Sequence, residues 1–235
     1  MNKPPPETNC RRPSSFFAFA AAFLLGAALC AAAFCSCSDD PINFSYVQPY
    51  FVLDWEDAEA LPKQRLSVFI NFSSNVRRLD SFSVKNSNYL WNVEAPVLLQ
   101  AGDRQWAGSV HLEPPVFLNG EAGSFSSGLY EVECVDAAGK SSKGNFSLGY
   151  NAALLEAKAG DVEKILSGPM KRVAVYSESS ELLYFDVEKP EWLSDESVFK
   201  SVKNSSFLRR TLTAGNVICF MPKIYKDGEK SDGLE

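Results

Sequence analysis

Among 235 residues there is a single histidine, His111, and that scarcity excludes more than any motif does. Imidazole is the usual general base near neutral pH, and a Ser-His-Asp or Cys-His hydrolase needs one oriented by a third group. His111 falls among Ser109, Val110 and Leu112 in a strand-like run, where an exposed strand position is the expectation. The chain also lacks a Gly-x-Ser-x-Gly elbow, a Gly-x4-Gly-Lys-Ser/Thr phosphate loop and a His-Glu-x-x-His helix. No C-x-x-C pair is present, so no zinc set is expected, and no cofactor fingerprint is found. Basic residues are outnumbered, 23 Lys+Arg against 29 Asp+Glu, for a net charge of -6. A polyanion such as nucleic acid is therefore excluded as an expected partner.

What the chain does have is one long apolar block. Phe16 to Phe34 carries no charge and follows Lys3, Arg11 and Arg12, which face only Glu7. A positive segment before an apolar run is the pattern of a secretory signal. The run exceeds the roughly 7–15 residues of an ordinary signal and approaches the ~20 that span a bilayer, so an uncleaved N-terminal transmembrane anchor is the alternative. The exit from the block is Ala33-Phe34-Cys35-Ser36-Cys37-Ser38-Asp39-Asp40. It resembles the lipobox of bacterial lipoproteins in the relaxed form seen in spirochaetes, where cleavage precedes a cysteine that is then acylated. Cys37 fits best, with small Ser36 before it and bulky Phe34 three residues upstream. Cys35 is the alternative, although it places Phe34 at the position where a small residue is usual. The resemblance implies a signal peptide over 1–36, a palmitate-bearing anchor at Cys37, a tether over 37–43 and a place in the cell envelope, on its periplasmic or outer-membrane face. Each buried methylene of such an anchor contributes about 0.8 kcal/mol, so a multiply acylated cysteine is a permanent tether. The remaining 199 residues carry a net charge of -8, so attachment rests on the lipid and not on charge.

Of six cysteines, Cys10, Cys30 and Cys35 precede the proposed acylation site, leaving Cys134 and Cys219 for the fold. Both sit in apolar, strand-like runs, where buried free thiols are expected; a disulfide between them is the alternative.

From 44 to 150 the chain reads as about eight short strands. Leu66, Val68, Ile70 and Phe72 alternate with Ser67, Phe69 and Asn71, and Phe82 and Val84 repeat the pattern. Trp106, Val110 and Leu112 are expected on one face, with Ser109 and His111 on the other. Such density predicts a two-sheet β-sandwich. The stretch Ser127-Ser-Gly-Leu-Tyr130 through Asp136-Ala-Ala-Gly139 to Phe146 resembles the last two strands of immunoglobulin-like and fibronectin-III-like domains. That resemblance implies Tyr130 as a corner tyrosine and either Trp91 or Trp106 as the core tryptophan. Val132 stands where antibody domains carry their second disulfide cysteine.

After Tyr150 the texture becomes mixed. Residues 151–168 space Leu154, Leu155, Val162, Ile165 and Leu166 as a helix would, 172–176 and 182–187 read as a hairpin, and Ser194 caps a helix to Val202. A last strand is expected from Val217 to Met221, before Pro222. The fold class predicted is thus mainly β: an immunoglobulin-like sandwich over 44–150, a small α+β unit over 151–225 and a flexible tail over 226–235.

Two acidic groups are the remaining chemical candidates. Asp54-Trp-Glu56-Asp57-Ala-Glu59 lacks the spacing of a calcium loop and reads as a solvated turn. Glu131 and Glu133 share one strand face, as a glycosidase pair could. The expectation is a non-enzymatic, lipid-anchored envelope protein that binds or assembles with a protein partner. The alternatives are a surface-exposed adhesin for host or matrix ligands and a carboxylate-based glycan hydrolase.

Overall fold

Period-two alternation builds most of the molecule. The computed structural model describes residues 42–116 and 123–226; the signal segment, Cys35, Cys37, most of the tether and the tail from 227 lie outside the described residues. In chain order the strands are β1 (Phe44–Asp54), β2 (Lys63–Phe72), β3 (Leu79–Lys85), β4 (Leu90–Val93), β5 (Val97–Ala101), β6 (Arg104–Leu112), β7 (Gly128–Asp136) and β8 (Ser141–Leu148). A one-turn helix α1 (Val162–Ile165) then leads to β9 (Met170–Tyr176), β10 (Leu182–Val187), helix α2 (Asp195–Ser201), β11 (Phe207–Ala214) and β12 (Val217–Tyr225). Two sheets result. One has eight strands in the order β10-β9-β11-β12-β1-β2-β6-β5, and the other has four in the order β4-β3-β7-β8.

The chain is therefore mainly β, with two sheets facing each other across a buried core. Phe51, Leu53, Leu66, Val68 and Ile70 from the large sheet meet Phe82, Val84, Tyr130, Val132, Cys134, Phe146 and Leu148 from the small one. Of Trp91 and Trp106 it is Trp91 that lies in the core, stacked 5.4 Å from Phe125 and 6.1 Å from Tyr130, with its Nε1–H donated to Glu113 O. Trp106 instead lies on the outer face, edge-on to Tyr46. A register shift explains the difference. Leu66 pairs with Leu112 but Val68 pairs with Ser109, so a bulge in β6 breaks the alternation: Leu112 faces the core, while Val110 shares the outer face with Trp106 at 51% exposure. Gly108 lies beside that bulge, where a Cβ would stand 2.2 Å from Val68 O; only glycine fits so close an approach.

The region after 150 continues the same large sheet. β12 runs parallel to β1, pairing Leu53 with Cys219 and Asp54 with Phe220, and β11, β9 and β10 follow antiparallel. Residues 151–168 do not form the single helix that their spacing suggests. They make two 3-10 turns and α1, with Leu154, Ala157, Val162 and Leu166 buried in the sandwich core. The interruption falls at Ala157-Lys158, where the Ala157 carbonyl accepts the Nε1–H of Trp55 instead of bonding within a helix. Ser194 caps α2, as the sequence suggests, and the structure adds Ser197, whose side chain accepts the Ser194 backbone N–H in return. That helix covers a second cluster of Val173, Val175, Trp192, Val198, Phe199 and Leu208.

Leu208 and Leu212 lie on one face of β11, and they belong to the second cluster and the sandwich core respectively. The small sheet and α2 therefore cover the same face of the large sheet, side by side. Its opposite face carries no second layer among the described residues.

The turn after β7 closes on Asp136. Its buried carboxylate accepts the backbone N–H groups of Ala138 and Lys140, both at 2.9 Å, and a guanidinium hydrogen bond from Arg78 at 2.8 Å. Gly139 takes the positive φ of 76° that this turn needs. The Lys140 amide first, and then Ala138 and Arg78, hold the Asp136 carboxyl below its ordinary range. A depressed carboxylate contributes stability above its unfolded pKa of about 3.9 that is lost as pH falls through its folded value. Urea midpoints for wild type and Asp136→Asn are thus expected to differ at neutral pH and to converge below about pH 4. A constant gap would remove this account of the turn.

Candidate functional site

A cleft of about 560 Å³ opens where the ends of β1, β2, β6, β11 and β12 meet. It brings together two groups that the sequence offers separately, the acidic turn after β1 and His111. The acids there are already engaged. Asp54 is bridged by Arg209, with Nη2 at 2.5 Å from Oδ1 and Nη1 at 3.3 Å from Oδ2. Glu56 pairs with Lys63 at 2.5 Å, a contact that raises the Lys63 pKa above its ordinary value. Asp57 accepts the backbone N–H groups of Glu59 and Ala60, at 2.8 and 2.7 Å, and Glu59 pairs with Lys158. Trp55, in the middle of this acidic run, is fully buried.

Arg209 is held there by the backbone. Pro222 has no N–H to give the β11–β12 ladder, and the register shifts between Arg209 and Thr211, leaving Met221 and Pro222 bulged. The strand runs on to Tyr225 past the expected stop at Pro222. The freed Met221 carbonyl accepts Arg209 Nε–H at 2.8 Å, and Trp55 O accepts Nη2–H at 3.2 Å. The Arg209 guanidinium also lies 5.4 Å over the Phe220 ring.

Two further cations line the cleft and pair with no carboxylate among the described residues. Arg65 lies 5.8 Å from the centre of the same Phe220 ring, and its Nε is buried with no hydrogen-bond partner. Lys223 Nζ stands 5.0 Å over Phe207. Arg65, Arg209 and Lys223 were not singled out by the sequence. The only signal was the Arg209-Arg210 pair inside an otherwise apolar run. His111 is exposed, with Nε2 3.6 Å from Glu113 Oε1.

Glu131 and Glu133 lie elsewhere, on the outer face of β7, and share Lys143 at 3.4 and 3.2 Å. A hydrogen bond from Ser141, then Lys143, lowers the Glu133 pKa. A glycosidase general acid needs the opposite shift. Cys134 on β7 and Cys219 on β12 are separate, buried free thiols, and no disulfide joins them. Burial pushes both pKa values up to about 12, which makes them inert. Among the described residues no group of His, Cys, Asp and Glu could hold a metal ion, and no helix is long and apolar enough to cross a membrane. Compared with known proteins, the chain matches no family model, and no curated protein shows significant sequence similarity to it.

Proposed function

We propose that the chain is a lipid-anchored, non-enzymatic binding protein of the bacterial cell envelope, built on an immunoglobulin-like sandwich. The carrying observation is the lipobox-like exit at Phe34-Cys35-Ser36-Cys37, followed at once by polar, acidic sequence. The strand arrangement supports the sandwich half of this reading. The order β1-β2-β6-β5 opposite β4-β3-β7-β8 corresponds to strands A-B-E-D opposite C′-C-F-G of immunoglobulin-type domains. Tyr130 Oη–H donates to Ser126 O at 2.8 Å, four residues upstream, as a corner tyrosine does. A sandwich with one sheet face uncovered suits a module that holds a ligand or protein partner near a membrane.

Intact mass and palmitate labelling test the anchor. Wild type is expected to carry acyl mass and to begin at residue 37, Cys37→Ala to carry none, and Cys35→Ala to behave as wild type. Acylation that survives Cys37→Ala and disappears in Cys35→Ala moves the site two residues. A wild type without acyl mass overturns the reading and leaves the apolar block as an uncleaved anchor.

A further inference from the structure

We propose that the cleft beside the Asp54–Arg209 pair binds the oxyanion of a small ligand, a carboxylate or a phosphate monoester, between Arg65 and Lys223. The proposal deepens the binding reading above by naming what is bound and where. Four cations and three carboxylates line the cleft, and their pairing is uneven. Arg209 is neutralised by Asp54, and Lys63 by Glu56. Asp57 spends its carboxylate on two backbone amides of its own turn. Among the described residues neither Arg65 nor Lys223 forms an ion pair, and each is steadied by an aromatic ring: Phe220 under Arg65 and Phe207 under Lys223. A ring fixes the position of a cation without cancelling its charge. The two side chains are thus placed in advance and left electrostatically unspent.

The buried, unpartnered Nε of Arg65 points the same way. An unpaired buried donor costs free energy, and native structures keep few of them. A guanidinium presents its donors as a planar fork that matches carboxylate and phosphate oxygens, while an ammonium adds a point charge. The size of the ligand follows from charge and volume. In a chain of net charge -6, a long polyanion would be repelled by the rest of the surface. Attraction screened over about 8 Å acts only within the cleft. A cavity of about 560 Å³ accepts a ligand the size of a sugar acid or sugar phosphate.

The test is calorimetric titration of the full chain in detergent with glucuronate, glycerol 3-phosphate and, as neutral counterparts, glucose and glycerol. At least one charged probe is expected to saturate in the millimolar range or tighter, more weakly in high salt, while the neutral probes give no binding. Preference between the two charged probes identifies a carboxylated or a phosphorylated source. Arg65→Met and Lys223→Met are each expected to weaken binding about tenfold or more. Lys223 is exposed, so its variant reports on binding with the fold intact. Failure of both charged probes, equal binding of neutral ones, or wild-type affinity in both variants overturns the proposal. The acyl mass of the same sample separates the two readings. An acylated chain that binds no probe loses only the cleft, and an unacylated chain that binds loses only the anchor.

Discussion

Trp55→Ala is expected to lower the unfolding free energy by about 3–5 kcal/mol, the cost of removing a large buried aromatic ring. Trp55 is fully buried although it follows β1 directly and stands between Asp54 and Glu56. Its backbone N–H donates to Phe220 O at 3.0 Å, and its Nε1–H donates to Ala157 O at 2.9 Å. One residue therefore joins the end of β1, strand β12 and the turns before α1. Alanine would leave both a cavity and a buried carbonyl without a donor, and these costs add. In a domain of this size the transition would fall by roughly 10 °C. Trp55→Phe keeps most of the ring and loses only the hydrogen bond, so its cost is expected at about 1–3 kcal/mol. Urea unfolding of the three proteins distinguishes the terms. Equal losses in both variants would mean that packing of the ring contributes little, and a loss below about 1 kcal/mol for Trp55→Ala would contradict the burial.

The sandwich is legible because its strands obey a simple rule: in β2 and β7 the apolar residues of the core, Leu66, Val68, Ile70 and Phe72 and then Tyr130, Val132 and Cys134, fall at every second position, and period two survives in the primary structure. The same rule misled at β6. A bulge beside Gly108 reverses the alternation, so Ala107 and Leu112 face the core while Trp106 and Val110 face outward. Bulges leave no period to read. Strand β11 carries no such period for another reason: its burial runs in pairs, with Phe207 and Leu208, then Thr211 and Leu212, buried around Arg209 and Arg210. The cleft was legible only in part. Asp54, Glu56, Asp57 and His111 stand out as residue types, but what makes the site is which of them are paired, and pairing across 155 positions, as between Asp54 and Arg209, has no local signature. Cations left unpaired, Arg65 and Lys223, are visible only once the partners of all the others are known.

Arg209→Met is expected to destabilise the fold by about 2–4 kcal/mol, somewhat below the cost of breaking a wholly buried ion pair, because Asp54 retains 30% exposure. The guanidinium, 13% exposed, serves two functions at one point. It neutralises Asp54 across the parallel β1–β12 seam, and it satisfies the Met221 and Trp55 carbonyls that the Pro222 bulge leaves without backbone partners. Methionine fills the space but supplies no donor, so the two carbonyls and the carboxylate would depend on water. Arg209→Lys restores charge without the fork, and is expected to recover less than half of the loss. A double-mutant cycle with Asp54→Ala separates the pair from the carbonyls. Coupling above about 1 kcal/mol is expected, and strictly additive losses would show that the bridge is incidental. Binding carries a second readout. With Arg209 gone, the Asp54 carboxylate stands unneutralised in the cleft that Arg65 and Lys223 also line and lowers its positive potential, so the affinity for glucuronate or glycerol 3-phosphate is expected to fall although Arg65 and Lys223 are unchanged. Asp54→Asn together with Arg209→Met removes that competitor and is expected to restore affinity without restoring stability, which separates the role of Arg209 as a structural pin from the role of Arg65 and Lys223 as the anion's contacts.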